Sequence, residues 1–220
     1  MINAPATWDE ERRTDRLFVA TDELRFGWEQ TFKNLKPWLW VCGAGALLSI
    51  LENALTRERG NVGGRPLLAL VLQGLQVAVT LASFRVALRV VDGRPAGDSD
   101  LKKLLAGYWP FLLTHVLFAL IVAGGLLLLV IPGIVWAVTY GFAPMLCAAE
   151  GYRPAEALRE SRRLTTGHRR SLLAFGLLCL GVNLLGALAV GLGLFLTVPT
   201  TVTAATRVLR RLQANAPRAS

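Results

Sequence analysis

The sequence predicts an all-α polytopic membrane protein: a bundle of six transmembrane helices with amphipathic helices on its cytoplasmic surface. Apolar residues make up 53% of the 220 positions, and the mean hydropathy of +0.46 exceeds that of ordinary soluble domains. This excess is gathered into long blocks, and positions 109–149 contain no Lys, Arg, Asp or Glu. As one straight helix that block would reach about 60 Å at 1.5 Å per residue. A hydrocarbon core is roughly 30 Å thick, so the block must fold back on itself. Pro132 lacks a backbone donor and Gly133 tolerates turn dihedrals, which makes this pair the expected helix break.

The distribution of basic residues is the third observation. With six spans and the N-terminus inside, the cytoplasmic segments carry 21 of the 24 Lys and Arg residues, and only Arg57, Arg59 and Arg65 fall outside. That is the bias expected of a membrane protein whose two termini are both cytoplasmic. The net charge of +9 is therefore a topology signal, and nucleic acid is not expected as a partner.

Taken in order, residues 1–22 form a polar arm without a signal-peptide pattern. Leu24, Trp28, Thr31 and Leu35 then recur at helical spacing, so a helix lies at the membrane surface or packs its apolar face on the bundle. The membrane domain covers 23–212, with spans at about 37–52, 66–88, 109–131, 133–149, 171–188 and 192–206, and residues 213–220 are a tail. Asp92-Gly93-Arg94 reads as a turn, and Leu101, Leu104 and Leu105 give a short surface helix ahead of span three. Pro154 and Gly167 punctuate a further surface helix, with Ala157, Leu158, Ser161 and Leu164 opposite Glu156, Arg159, Glu160 and Arg163. The block 171–206 again exceeds one crossing, which puts a second reversal among Gly186, Gly191 and Gly193. Spans five and six then approach through the small pairs Ala187/Gly191 and Ala189/Gly193.

Ile131-Pro132-Gly133-Ile134, Phe142-Ala143-Pro144, Glu150-Gly151, Ala157-Leu158-Arg159-Glu160-Ser161 and Leu164-Thr165-Thr166-Gly167 together resemble a broad group of bacterial six-helix membrane proteins. The group includes domains of unknown function and the membrane domain of some glycerophosphoryl diester phosphodiesterases. The resemblance covers roughly residues 25–212, and it implies a fold and an inner-membrane location without implying an activity. Catalysis in the fused relatives belongs to a soluble domain that this chain has no room for.

Chemistry-bearing patterns are sparse. There are two His residues and three Cys residues, and no zincin, nucleophile-elbow or Walker pattern. No catalytic residue, metal site or cofactor is expected, and the chain reads as a non-enzymatic accessory or lipid-interacting factor. Two sets of residues are candidates for more than packing. Arg159, Arg162, Arg163, Arg169 and Arg170 can contact lipid headgroups, anionic ones included, or serve only as topogenic charge. Gln73, Gln76, His115 and Asn183 lie at membrane depth; they can bond between helices, or line a pathway in a small transporter or channel. Membrane lipids are the expected partners, with a membrane-protein partner or a second copy as the other openings.

Overall fold

The computed structural model describes residues 19–57, 65–94, 101–188 and 193–216. Most of the N-terminal arm, residues 58–64 and 95–100, the residues 189–192 that include Ala189 and Gly191, and positions 217–220 lie outside them. All regular structure among the described residues is α-helical: α1 (Ala20–Lys33), α2 (Leu35–Arg57), α3 (Arg65–Val91), α4 (Leu101–Leu128), α5 (Val130–Tyr140), α6 (Ala143–Glu150), α7 (Pro154–Thr165), α8 (Arg169–Leu188) and α9 (Leu194–Asn215). Five stretches are long and apolar enough to cross a membrane: Leu35–Leu55, Leu67–Val91, Gly107–Leu128, Val130–Glu150 and Arg169–Leu188. Their outer faces leave large apolar side chains uncovered, among them Trp40, Leu67, Leu70, Trp109, Leu127, Ile131 and Leu188. An apolar exterior of this extent is what lipid, not water, accommodates.

The first hairpin reverses earlier than the sequence suggests. Leu129 is the extended residue between α4 and α5, with φ −168° and ψ 143°, while Pro132 and Gly133 sit in the first turn of α5. Proline is favoured there because its missing N–H belongs to one of the first-turn donors that have no helical partner. Gly133 instead serves close approach. A Cβ on Gly125 would stand 2.8 Å from the Gly133 Cα, so α4 and α5 touch backbone to backbone. Span four is not one uninterrupted helix either, because α5 ends at Tyr140, a turn follows at Gly141-Phe142, and α6 begins with Ala143-Pro144. The short helix expected over 101–105 is the continuous start of α4, which passes through Pro110 without ending.

The sixth apolar segment departs furthest from expectation. α9 runs through Pro199 to Asn215, well past the expected end of the span at 206, so Arg207, Arg210 and Arg211 lie on the same helix. It is also the most enclosed of the long helices, burying Thr197, Pro199, Thr200, Thr201, Thr203, Ala204, Thr206, Val208, Leu209 and Leu212. α1, α3 and α8 surround it. Its low apolar content follows from this position, since side chains that meet other helices need small volume and hydrogen bonds more than lipid solubility. Thr200 and Thr206 donate back to the carbonyls of Leu196 and Val202, at 2.7 and 2.8 Å. α8 reaches α9 through Gly186, whose added Cβ would strike the Thr197 hydroxyl and lie 3.1 Å from the Gly193 carbonyl carbon.

Candidate functional site

A first group of charged residues gathers where α3 and α6 stop, against the C-terminal half of α9. Asp92 follows α3 and Glu150 ends α6, and each is followed by a glycine with positive φ, Gly93 at 69° and Gly151 at 71°. These left-handed residues terminate their helices without a Cβ penalty and bring both carboxylates to the same point. Arg210 on α9 fills it. Its Nε and Nη2 donate to Asp92 Oδ1 and Oδ2 at 3.0 and 2.8 Å, and Nη1 donates to Glu150 Oε1 at 2.8 Å and to Gln213 Oε1 at 3.0 Å. Burial works to lower the Arg210 pKa, but the hydrogen bonds to Asp92 and Glu150 outweigh it and hold the guanidinium above its ordinary value. One side chain thus ties α3, α6 and α9 together.

A second group joins α1 to the same helix. Glu23 is fully buried, with Arg211 Nε 3.1 Å from Oε1 and Arg207 Nε 3.5 Å from Oε2. Neither N–H is aimed well enough to make a hydrogen bond, so the attraction is electrostatic. Arg207 also stacks 3.9 Å above the Phe26 ring. One turn on, a Cβ at Gly27 would overlap the Thr200 carbonyl oxygen, and the hydroxyls of Thr31 and Thr200 meet at 3.4 Å. Of the two sequence readings for this helix, the face containing Thr31 packs on the bundle, while Trp28 and Phe32 stay exposed as a ring pair 4.9 Å apart.

Burial pushes the Glu23 carboxyl above its ordinary value of 4.5; Arg207 and Arg211 oppose that shift and Asp22 adds to it. A carboxyl raised on folding contributes stability that is fully present below the unfolded value of 4.5 and lost as pH rises through the folded value. Thermal unfolding followed against pH is therefore expected to lose stability across that window in the wild type, and Glu23→Gln is expected to remove that slope. A slope unchanged in Glu23→Gln would mean that another group causes it.

The third group is the basic face of α7 and the start of α8. α7 docks through Ala157, Leu158, Ser161, Leu164 and Thr165, all buried. Ser161 and Thr165 donate to the Thr139 carbonyl at 2.8 and 3.2 Å, supplying one of the carbonyls left without a helical donor at the end of α5. Glu156 accepts from the Arg153 N–H at 3.2 Å and so caps the first turn. On the outer side Arg163 makes a two-point pair with Glu160, Nε to Oε2 at 2.8 Å and Nη2 to Oε1 at 2.6 Å. These bonds hold the Glu160 carboxyl below its ordinary value. Arg159, Arg162, Arg169 and Arg170 are exposed and have no ion-pair partner among the described residues.

The intramembrane polar residues do not meet. Gln73 is exposed, Gln76 approaches Gly45 of α2, the His115 ring lies 6.0 Å from Phe111 on its own helix, and Asn183 donates to the Thr201 hydroxyl at 3.2 Å. No group of three or more His, Cys, Asp or Glu is placed to hold a metal among the described residues. Cys42, Cys147 and Cys179 are free thiols.

A family model for a domain of unknown function, DUF7847, matches residues 60–216, well over half of the chain. The chain belongs to the DUF7847 family. No curated protein and no solved structure matches it. Within DUF7847 limits fall α3 to α9, with Asp92, Glu150, Arg210 and the whole basic face, whereas α1 and its Glu23 precede the matched segment.

Proposed function

We propose that this DUF7847 member is a non-enzymatic integral membrane protein of the bacterial inner membrane that acts as a lipid-interacting or accessory factor. In this reading α9 is the sixth span, packed inside the other five, both termini are cytoplasmic, and α7 lies flat at the inner membrane boundary. The similarity to the membrane domains of glycerophosphoryl diester phosphodiesterases is part of the same proposal. The observation that carries it is the division of the arginines. Those of α9 face Glu23, Asp92 and Glu150, while Arg159, Arg162, Arg169 and Arg170 turn outward unpaired. Charges that only set topology have no need of a docked helix, yet Arg159 and Arg162 lie on one and Arg169 and Arg170 open the next. Near an anionic leaflet each is worth about 1 kcal/mol. The solute-pathway alternative needs Gln73, Gln76, His115 and Asn183 in one cleft, and their separate neighbours give it no support.

The test is the lipid shell of the full chain reconstituted in bilayer discs of mixed phosphatidylglycerol and phosphatidylcholine. The wild type is expected to enrich the anionic lipid around itself. Replacing Arg159, Arg162, Arg169 and Arg170 together by Gln should cut the enrichment by about tenfold or more at roughly 1 kcal/mol per charge. Equal enrichment in a folded fourfold variant would reduce the face to a topology signal.

A further inference from the structure

Two half-buried arginines of α3 take part in neither the ion pairs of α9 nor the basic face of α7 and α8. Arg85 and Arg89 lie one helical turn apart near the charged end of α3, both half-buried and within electrostatic range of each other. Arg85 falls about 10 Å short of Asp92 along the helix at 1.5 Å per residue. Arginines at such depth usually extend their side chains to water or pair with a carboxylate. Arg85 does neither. Its guanidinium lies across the backbone of α4, where a Cβ on Gly107 would collide with Nη2 and stand 3.6 Å from Cζ. Neither arginine has a hydrogen-bond or ion-pair partner among the described residues, and Arg210 already binds Asp92 and Glu150.

A guanidinium carries five N–H donors, and the protein supplies none of the acceptors for those of Arg85 and Arg89 among the described residues, so they stay open to a ligand. The geometry points to a phosphate-binding site formed by Arg85 and Arg89 between α3 and the start of α4, with Gly107 as the gap that admits the Arg85 head. Two guanidiniums spaced by one turn suit a group with three or more acceptor oxygens, and the planar fork matches phosphate by paired hydrogen bonds. Beside Gly107, Tyr108 donates to the Gly74 carbonyl at 2.8 Å and ties α4 to α3, and Trp109 is 72% exposed near the start of the apolar stretch Gly107–Leu128, where indoles favour headgroups. A phospholipid whose phosphate enters the crevice while its glycerol and chains lie along Trp109 satisfies both features; a soluble phosphate ester satisfies the first alone. This site lies apart from the α7 face. It needs a membrane around the bundle and does not need that face to bind lipid.

The experiment uses the full chain, purified in mild detergent, stripped of loosely bound lipid and examined by native mass spectrometry. One phosphate-bearing lipid per chain is expected to survive, with occupancy falling about tenfold or more in the Arg85→Gln/Arg89→Gln variant as the charge-assisted bonds are lost. Arg85→Lys, which keeps the charge without the fork, should retain an intermediate amount. Gly107→Leu should lower occupancy with both arginines in place, because it fills the gap. The fourfold α7 and α8 variant should retain the wild-type amount, which separates this site from the outer face. If no lipid is retained but inorganic phosphate raises the unfolding temperature of the wild type and not of the double variant, the same site takes a soluble phosphate ester. Equal lipid retention and an equal phosphate response in a folded double variant would overturn the proposal.

Discussion

Replacing Leu164 by Asp is expected to detach α7 from the bundle, whereas neutralising any one arginine on the same helix is expected to leave it docked. Leu164 is 4% exposed and packs in the core that also contains Leu158, Leu172, Phe175 and Leu209. Losing its burial costs about 2–3 kcal/mol, and placing an unpaired carboxylate there adds several kcal/mol more. The Ser161 and Thr165 bonds to the Thr139 carbonyl are worth only about 1 kcal/mol each and cannot hold the helix alone. By contrast, the exposed Arg163–Glu160 pair, three residues apart, contributes a few tenths of a kcal/mol. Limited proteolysis within 151–168 reads the difference. Rapid cleavage of Leu164→Asp beside a resistant Arg163→Gln is the expected pattern, and equal resistance would show that burial does not fix α7. Leu158, at 9% exposed, should respond in the same direction and less. On the proposed function the consequence is wider, because an undocked α7 no longer holds Arg159 and Arg162 on the outside of the bundle.

The helical period was enough to find the buried face of α7, because Ala157, Leu158, Ser161 and Leu164 recur within a single element. What those side chains touch was not legible. The Thr139 carbonyl is 22 residues from Ser161 and 26 from Thr165, and its availability arises only because α5 ends at Gly141. The same limit hid the α9 arginines. Arg210 finds its carboxylates 118 and 60 residues away, at Asp92 and Glu150. A signal was present in the two acidic residues, each at the end of an apolar run and each followed by glycine. The interior place of α9 was not legible either, because hydropathy scores every side chain as if it faced lipid, and this helix packs its threonines among α1, α3 and α8. At Pro132-Gly133 the residue types were right for a helix start and were read as the turn itself, which falls at Leu129. The sequence contained Arg85 and Gly107 but no hint that they meet.

The second large effect is expected at Gly27. The close approach of α1 and α9 rests on this position, since a Cβ there would overlap the Thr200 carbonyl oxygen and stand 3.2 Å from the Ala204 Cβ. The obstructing atom is helix backbone next to Pro199, which cannot swing aside as a side-chain tip would. Overfilling a packed site with even small groups costs about 1–3 kcal/mol, and a branched side chain against a carbonyl lies at or beyond the top of that range. Gly27→Val is therefore expected to lift α1 away and open Glu23 and Thr31 to water. The helices α3 to α9 should remain packed, because their core does not pass through Gly27. Gly43→Ala is the matched control, with nothing within 4 Å of the added methyl. There the gain in helix propensity, up to about 1 kcal/mol, should appear without a packing penalty. Amide hydrogen exchange in detergent reports both. Exchange over 20–33 should accelerate by about 100-fold in Gly27→Val, the equivalent of roughly 3 kcal/mol of lost local stability, and stay at the wild-type rate in Gly43→Ala. If α1 kept its protection in Gly27→Val, the helix would be held by something other than its seam with α9, and the burial of Glu23 between α1, Arg207 and Arg211 would have to be explained anew.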